Sequence, residues 1–451
     1  MRLLLALVVI AAAVPARAQD ARPRNVVFLI ADGFGPASET LARAASGGPL
    51  ALDGIRTGSV STESTDSRVT DSAAAATAYA CGIKTVNGAI AVGPDGVPCV
   101  TVLEAARDAG YATGLVATSR ITHATPAAYA AHVPSRADEA GIAVQMAVAR
   151  VDVLFGGGGR FFVPEAQGGS RTDGRDVRRD LLAQGVVVTT TRAGFDRLRS
   201  APAVALLAPD HMAYEIDRDE TDEPSLAEMS VKALDLLAAT PAARTRGFFL
   251  MVEGSRIDHA GHGNDAPAHL RDILAYDAAV AAVLAWARRD GATLVVSTAD
   301  HETGGLTLGR DNVYAWDPAP LLAATMSAER LAVRLAETGA DATALVREAL
   351  GLDPLAADDP ERLNFAADVP AAVAAFRKTL DGRAGVAWTT GGHTAVDVGL
   401  FAFGPGSEAF RGSMPNDAVG RATFRALGLP LRPAAQAAAN RAAAQVEARA
   451  E

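Results

Sequence analysis

The sequence has no long apolar run and no excess of basic residues, and each absence excludes a class of protein. No segment offers the roughly 20 consecutive apolar residues that a membrane-spanning helix needs. The 451 residues carry a formal net charge of −10. Because an acidic surface repels nucleic acid and anionic membranes, neither is an expected partner.

The first 18 residues have the pattern of a secretory signal peptide. A basic start at Arg2 precedes an apolar stretch over residues 3–14, and Ala16-Arg17-Ala18 forms a cleavage site. The apolar stretch is too short to cross a bilayer as a helix. We therefore expect cleavage near Ala18 and a periplasmic or secreted mature protein, with a transmembrane anchor as the minor alternative.

Cysteine is scarce, with only Cys81 and Cys99 in the whole chain. Disulfides persist in the compartment to which a signal peptide directs a protein. A single bridge between these two residues is therefore the expected state. Two unpaired thiols are the alternative.

Short apolar runs alternate with helical patterns along most of the chain. Strands are predicted at 25–30, 111–117, 151–155, 186–189, 247–252, 292–299 and 398–403, and helices at 102–109, 138–150, 225–239 and 268–289. Such alternation is typical of an α/β protein. It predicts a three-layer α/β/α sandwich with a mainly parallel central sheet, formed by residues 19–451 as a single domain.

Two segments interrupt the alternation. Residues 165–224 are rich in charge and glycine, and residues 310–388 contain helical patterns at 327–338 and 342–350 between prolines. Long connections in a compact domain usually serve a function or an assembly. Both are interpreted as insertions over the strand edge, as a cap or a subunit contact. The alanine-rich tail 433–451 suggests a surface helix or disorder, with no assigned function.

Three of the predicted strands end in an acidic residue. Asp32 follows the first strand, Glu253 ends the strand over 247–252, and Asp300 follows the strand over 292–299. Open α/β sheets bind their ligands at the carboxyl edge of the strands. The three carboxylates are therefore expected at a ligand site, although Asp32 alone is also explained as a cap of its turn.

Ser72 stands just ahead of a run of alanines, where a helix is expected to begin. Its hydroxyl would face unpaired N–H groups and the positive end of the helix dipole, a position suited to carrying a phosphate. A free serine hydroxyl needs a base or a metal ion to become a nucleophile. The alternative is a simple N-cap, as with most serines before helices.

Histidine is also scarce, and its positions form a pattern. Five of the eight histidines fall in short motifs: His123, His259, His262, His301 and His393. Asp258 and His262 are four residues apart, a spacing that presents two ligands on one helix face and suits zinc. Taken alone, Asp258 and His262 are explained as an ordinary pair on a helix, and His393 as a solvated loop histidine. Together with the strand-end acids they suffice for more than one divalent ion.

The motifs together resemble those of the alkaline phosphatase family. They occur in the family's order over residues 25 to about 425: Ile30-Ala31-Asp32-Gly33-Phe34-Gly35, Val69-Thr70-Asp71-Ser72-Ala73-Ala74, Thr122-His123-Ala124-Thr125-Pro126 with Ser135-Arg136, Val252-Glu253-Gly254 with Ile257-Asp258-His259 and His262, Thr298-Ala299-Asp300-His301-Glu302, and Gly392-His393-Thr394. The resemblance implies the alkaline phosphatase fold for the domain.

The resemblance also implies a set of metal ligands. A first Zn²⁺ would bind Asp258, His262 and His393. A second Zn²⁺ would bind Asp32, Asp300 and His301, with Ser72 as its fourth ligand. A third ion, Mg²⁺, would bind Asp32, Thr125 and Glu253. Arg136 would hold two phosphate oxygens through the fork geometry of its guanidinium.

The implied activity is the hydrolysis of small-molecule phosphate monoesters. Ser72, activated by a metal ion, would attack phosphorus and form a phosphoserine, which water then hydrolyses to release inorganic phosphate. The family also suggests a homodimer. Assay of the Ser72→Ala and Arg136→Ala variants would test the covalent mechanism.

Two histidines stand where one bacterial branch of the family has other residues. His123 replaces an aspartate and His259 a lysine, as in the animal branch and in many other bacterial members, and Cys81 and Cys99 match the spacing of a disulfide in the animal branch. Nearby imidazoles favour zinc or cobalt over magnesium at the third site. Both histidines are predicted to act next to the ion, or on phosphate through water, rather than as direct ligands.

Two other functions are weighed against this one. A phosphodiesterase or sulfatase-like relative shares the sheet and metals, but a dianionic monoester gains most from the fork of Arg136. A non-catalytic exported protein that binds zinc or phosphate would need an idle site, and no expected residue is missing. Turnover before and after chelation, with zinc added back, separates the two classes.

Overall fold

A computed structural model describes residues 22–338, 342–352 and 368–431 of the chain. The predicted signal peptide over residues 1–18 and the tail 433–451 lie outside these residues. Within the described part, no helix combines the length and the apolar character that crossing a bilayer requires.

The described residues form 14 strands. They are β1 Asn25–Ala31, β2 Arg56–Ser61, β3 Ala112–Arg120, β4 Val153–Gly157, β5 Val187–Thr189, β6 Ala203–Leu206, β7 Phe248–Gly254, β8 Thr293–Thr298, β9 Glu302–Thr303, β10 Thr307–Leu308, β11 Val386–Ala387, β12 His393–Thr394, β13 Val398–Phe403 and β14 Gly412–Pro415.

The same residues form 16 α-helices. They are α1 Pro36–Ser46, α2 Ser72–Cys81, α3 Val102–Asp108, α4 Ala124–Ala130, α5 Glu139–Val148, α6 Val177–Ala183, α7 Arg192–Arg197, α8 Leu226–Ala238, α9 Pro241–Thr245, α10 Arg256–His262, α11 Ala266–Asp290, α12 Ala319–Ala323, α13 Ala328–Thr338, α14 Ala342–Ala349, α15 Val369–Ala384 and α16 Asn416–Ala426.

Ten strands form one central sheet, in the order β14-β2-β13-β8-β1-β7-β3-β4-β6-β5. Neighbouring strands run parallel except at β13, which is antiparallel to both β2 and β8. Helices such as α3, α8 and α11 pack against the central strands. The prediction of an α/β/α sandwich with a mainly parallel sheet is confirmed.

The register of three central strands brings the strand-end acids to one edge. Strand β1 lies between β7 and β8, and Ile30 pairs with Glu253 on one side and with Thr298 on the other. All seven residues of β1 are buried, as are those of β7. Asp32 and Asp300 follow directly after these paired positions, so both leave the sheet at the edge where Glu253 lies.

All seven predicted strands and all six predicted helices are present, with ends shifted by a few residues. Three strands of the central sheet, β2, β6 and β14, were not predicted, and neither were the two-residue strands β9 to β12 outside it. Strand β2 is polar and β14 is mostly exposed, so neither shows a buried apolar run. Strand β6 is only four residues long and lies within the charged segment 165–224, where it pairs with β4 and β5.

A disulfide joins Cys81, the last residue of α2, to Cys99. The predicted pairing is therefore confirmed. The bridge ties the end of the helix that begins at Ser72 to the loop before α3. The two cysteines are 18 residues apart. A bridge that closes a loop of this length in the unfolded chain typically contributes about 3 kcal/mol to the free energy of unfolding.

Candidate active site

The strand-end carboxylates meet in a fully buried cluster without enough hydrogen-bond donors. Asp32, Glu253 and Asp300 are each 0% exposed. Both oxygens of Asp32, Oε1 of Glu253, Oδ2 of Asp300 and the hydroxyl of Thr125 have no hydrogen-bond partner. Leaving buried polar atoms unpaired costs about 1–3 kcal/mol each, and more for charged groups. These atoms therefore have the chemistry of a cation site.

The ionisation of the cluster shows the same deficit of positive charge. Burial raises the pKa of Glu253 and that of Asp300, each to about 7. Burial, followed by the charge of Asp300, raises the pKa of Asp32 well above its ordinary value. When neighbouring carboxylates cannot all ionise, bound protons or metal ions neutralise their negative charge.

Ser72 lies at the start of α2 and points toward this cluster. Asp71 is the N-cap of the helix, because its side chain accepts a hydrogen bond of 3.0 Å from the backbone N–H of Ala74. The alternative that Ser72 is merely an N-cap is therefore wrong, since the cap lies one residue earlier. The buried Ser72 is left with its hydroxyl 3.2 Å from His301 Nε2.

His301 connects the serine with two of the carboxylates. Its Nε2 lies 3.6 Å from Oδ1 of Asp32 and 3.2 Å from Oδ2 of Asp300. Oδ1 of Asp300 is already occupied, because it accepts hydrogen bonds from the backbone N–H groups of Gly33 and His301. The Ser72 hydroxyl and the free oxygens of both carboxylates thus lie around Nε2 of His301.

Asp258, His262 and His393 form a second cluster, which is more open to solvent. His262 Nε2 lies 3.3 Å from Asp258 Oδ2 and 3.1 Å from His393 Nε2. Each imidazole donates its Nδ1–H to a carbonyl, that of Gly391 at 2.7 Å and that of Thr70 at 2.8 Å. The Nε2 atoms that face Asp258 are therefore left to bind a proton or a metal ion.

Three groups of side chains have ligand atoms close enough to share an ion. They are Asp258 with His262 and His393, Asp32 with Asp258 and His301, and Asp32 with His123 and Glu253. In each group the ligand atoms lie within 4.8 Å of one another. Carboxylate oxygens with imidazole nitrogens suit zinc, and the unpaired oxygens of Asp32, Thr125 and Glu253 suit magnesium. The residues present therefore fit divalent ions.

Arg136 lies beside the serine and is held by two neighbours. Its Nη1 donates to Asp71 Oδ2 at 3.0 Å, and its Nη2 lies 3.1 Å from His123 Nε2. Asp71 also accepts a hydrogen bond of 3.0 Å from the backbone N–H of Gly88. The guanidinium is thus positioned next to the start of α2, where a bound anion would find its two parallel donors.

Three histidines pack edge to face behind Arg136. The ring of His259 lies 5.4 Å from that of His123 and 4.2 Å from that of His211, between centroids. Burial lowers the pKa of His259 to about 3 and that of His123 well below its ordinary value, so both are neutral. Arg256 Nη1 fixes the orientation of His259 through its Nδ1 at 3.0 Å.

Sequence reasoning missed three residues that contact the site. His211 comes from the segment 165–224 and had no motif to mark it. Asp71 stands directly before Ser72, which is the signal that could have revealed it as the cap. Thr303 donates to Asp258 Oδ1 at 2.5 Å and lies 3.2 Å from His301 Nδ1, so it links the two clusters.

Comparison with known proteins identifies the relatives of this chain. A family model described as alkaline phosphatase matches residues 23–429. The repressible alkaline phosphatase of Saccharomyces cerevisiae is 40% identical over 86% of this chain and 77% of its own length. The crystal structure of a cold-active alkaline phosphatase from Shewanella sp. has a TM-score of 0.81 and 33% identity, over 89% of this chain and 99% of that one.

A third relative is described with a bound ion. The structure of a variant of the alkaline phosphatase from the Antarctic bacterium TAB5, with Mg bound in its M3 site, has a TM-score of 0.69 and 29% identity. The match covers 91% of this chain and 99% of that chain.

Proposed function

Since the chain belongs to the alkaline phosphatase family, we propose that it hydrolyses phosphate monoesters by way of a phosphoserine at Ser72. One observation carries the proposal. The hydroxyl of Ser72 lies 3.2 Å from His301 Nε2, which also faces the carboxylates of Asp32 and Asp300. A buried hydroxyl at the start of a helix and next to a cation site combines the two conditions for a phosphate-accepting nucleophile.

Two zinc ions and one magnesium ion complete the proposed site. Asp258, His262 and His393 would hold the first zinc, and Asp32, Asp300, His301 and Ser72 the second. Asp32, Thr125 and Glu253 would hold the third ion, for which zinc or cobalt is the alternative because His123 and His259 lie near. When bound, the ions act as Lewis acids that lower the pKa of an oxygen nucleophile and offset charge on phosphate.

Support for the third ion comes from both the chain and a relative. The oxygens that would bind it have no other partner, namely those of Asp32, the hydroxyl of Thr125 and Oε1 of Glu253. The TAB5 enzyme variant carries Mg in its M3 site. His123 also lies within ligand distance of Asp32 and Glu253, although its Nε2 faces Arg136, which favours a role beside the ion.

The residues of the chain divide the reaction into two displacements. In the first, Ser72 Oγ loses its proton and bonds to phosphorus while the bond from phosphorus to the ester oxygen breaks, and the alcohol leaves carrying one proton in exchange. In the second, a water oxygen bonds to phosphorus, the Ser72 Oγ–P bond breaks, a proton from the water restores the serine hydroxyl, and phosphate departs. The N–H groups at the start of α2 face the negative charge in both steps.

Arg136 binds the phosphoryl group in this scheme. Its two terminal nitrogens are held by Asp71 and by His123. A phosphate that approaches Ser72 would share these donors and gain two charge-assisted hydrogen bonds. A dianionic monoester therefore gains more than a monoanionic diester, and the proposed substrate class follows from this.

We extend the proposal to localisation and assembly. Export after cleavage near Ala18 is supported by the disulfide between Cys81 and Cys99, because such bridges are rare in the cytosol. A homodimer is the assembly that the family suggests.

The experiment that tests the proposal traps the phosphoenzyme. The protein is mixed with a ³²P-labelled monoester, quenched in acid and digested, and the peptide that contains Ser72 is analysed by mass spectrometry. Ser72→Ala is expected to lower kcat on the order of 10³-fold or more and to abolish labelling. Ser230→Ala, which changes a buried serine in α8 away from the site, is the matched control. Full activity of Ser72→Ala would end the covalent mechanism.

A further inference from the structure

A cavity of about 430 Å³ opens beside His262, between the end of α10 and helix α15. Its main lining residues are His262, Arg310, Arg377, Lys378, Asp381 and Trp388. None of these except His262 belongs to the proposed metal or phosphate site. The cavity is therefore a separate space that adjoins the proposed reaction centre.

The lining of this cavity is cationic, although the whole chain carries a net charge of −10. It contains three cationic side chains and one carboxylate. Arg377 donates to the carbonyl of Gly263 and Arg310 pairs with Asp311. Within the described residues, Lys378 has neither an ion pair nor a side-chain hydrogen bond. Its ammonium group is thus available to an anion that enters the cavity.

Trp388 gives the cavity one flat wall with a fixed orientation. Its ring packs directly over Gly304, where a Cβ would lie 2.4 Å from Trp388 Cε3. Its Nε1–H donates to Asp381 Oδ1 at 3.3 Å, which occupies the one carboxylate of the lining. An aromatic wall beside the free ammonium group of Lys378 suits a ligand that has an apolar body and an anionic group.

The position of the cavity relative to the nucleophile assigns it to one part of the substrate. Ser72 contacts His301, the ring of His301 stacks on that of His393 at 3.5 Å, and His393 Nε2 lies 3.1 Å from His262. His262 is thus the third side chain beyond the serine in this series of contacts. An in-line attack by Ser72 expels the alcohol on the side away from the nucleophile, and the cavity opens beside His262, the member of the series that is most contacts away from Ser72.

We propose that this cavity binds the alcohol part of the substrate and selects monoesters whose leaving group carries a second anionic group, a carboxylate or a further phosphate. This inference rests on the proposed function, because it takes Ser72 as the nucleophile. Lys378 is the specificity-determining residue, and Trp388 supports the body of the leaving group.

The test compares two substrates that differ only in charge. They are 4-carboxyphenyl phosphate and 4-carbamoylphenyl phosphate, in which an uncharged amide replaces the carboxylate. Both are assayed at low ionic strength with the full metal-loaded protein. For the wild-type protein, kcat/KM is expected to favour the carboxylate. In Lys378→Glu the ratio of the two values should fall about ten-fold, because two units of charge change close to the anion.

Arg383→Glu is the matched control. This residue lies on the same helix and undergoes the same change of charge, but it does not line the cavity. Its ratio should change less than about two-fold, which separates a local contact from the general field of the protein. The carbamoyl substrate carries the same phosphate dianion, so dividing by its kcat/KM removes the effect of each substitution on the phosphate group itself.

The outcomes distinguish this inference from the proposed function. Equal ratios in Lys378→Glu and Arg383→Glu, with good turnover of both substrates, would overturn the inference and leave the phosphatase activity intact. No turnover of either substrate would refute the proposed function and the inference with it. A parallel series with 1,4-phenylene bisphosphate shows whether the second anion is better supplied by phosphate than by carboxylate.

Discussion

The two halves of the proposed metal site are built differently. The buried half consists of Asp32, Glu253 and Asp300, which leave the ends of central strands and are 0% exposed. The open half consists of Asp258, His262 and His393, and the side chain of His262 is 40% exposed. One half is thus part of the protein core, whereas the other joins the buried Asp258 to the surface through His262 and His393.

The halves also differ in how their charges are balanced without a metal. In the open half, the hydrogen bond that His262 donates to Asp258 raises the pKa of His262 to about 9, so a proton takes the place of a cation at neutral pH. In the buried half the pKa of Glu253 and that of Asp300 lie at about 7 because of burial. Near pH 8 the open half is therefore neutralised by its own histidine, and the buried half depends on added cations.

Metal removal is the largest test of this difference. Exhaustive chelation is expected to lower kcat more than about 10³-fold. It should also lower the free energy of unfolding by about 4 kcal/mol per ion, relative to protein kept at a free ion concentration of about 1,000 times the Kd. Activity should return with Zn²⁺ and Mg²⁺. Metal analysis during chelation should show that the ion of the open half is lost first. His262→Gln identifies that ion, because this variant should lack it before any chelator is added. Chelated protein that keeps its activity would contradict the scheme.

Sequence patterns predicted the buried half better than its surroundings. Apolar runs that end in an acid mark Asp32, Glu253 and Asp300, because a buried strand has a short apolar signature and a defined carboxyl edge. The contacts of Thr303 and His211 could not be predicted in this way. Their positions depend on how loops cross the sheet edge, and neither periodicity nor spacing records such long-range packing. The four-residue spacing marked Asp258 and His262 as a ligand pair, and the family resemblance assigned the remaining proposed ligands to particular ions.

Substitution of one aspartate in each half should have opposite effects on the metal-free protein. Asp300→Asn is expected to raise its free energy of unfolding by roughly 2 kcal/mol at pH 8, since it removes a buried, repelled charge and keeps Oδ1 as the acceptor for Gly33. Asp258→Asn is expected to lower it by about 3 kcal/mol, because it leaves His262 and His393 without their partner. Urea unfolding in the presence of a chelator measures both values.

The pH dependence of these effects follows from the direction of each shift. The pKa of Asp300 is higher in the folded than in the unfolded protein, so its ionisation destabilises the fold as pH rises from about 4 to 7. The gain in stability of Asp300→Asn should therefore shrink between pH 8 and pH 5.

Although burial raises the pKa of Asp258, the hydrogen bond from His262 lowers it well below its usual range. Its contribution is present above the unfolded pKa of about 4, so the loss in Asp258→Asn should persist at pH 5. Equal behaviour of the two variants would remove the distinction between the halves.

The smallest expected effect concerns Thr303, which joins the two halves. Its hydroxyl donates to Asp258 Oδ1 and can accept from His301 Nδ1, which leaves His301 Nε2 free to face Ser72. Thr303→Val keeps the shape but removes both bonds. We expect a loss of about 1 kcal/mol in the free energy of unfolding and about ten-fold weaker zinc binding.

A competition titration of zinc against a coloured chelator measures the effect in both halves at once. Thr303→Ser should restore most of the affinity, and Thr423→Val, which removes a buried threonine hydroxyl that donates to the Val419 carbonyl within α16, should leave it unchanged. If Thr303 couples the halves, Thr303→Val weakens both zinc-binding steps. If only one step weakens, each half orients its ligands independently, because the carbonyls of Gly391 and Thr70 then suffice for the open half.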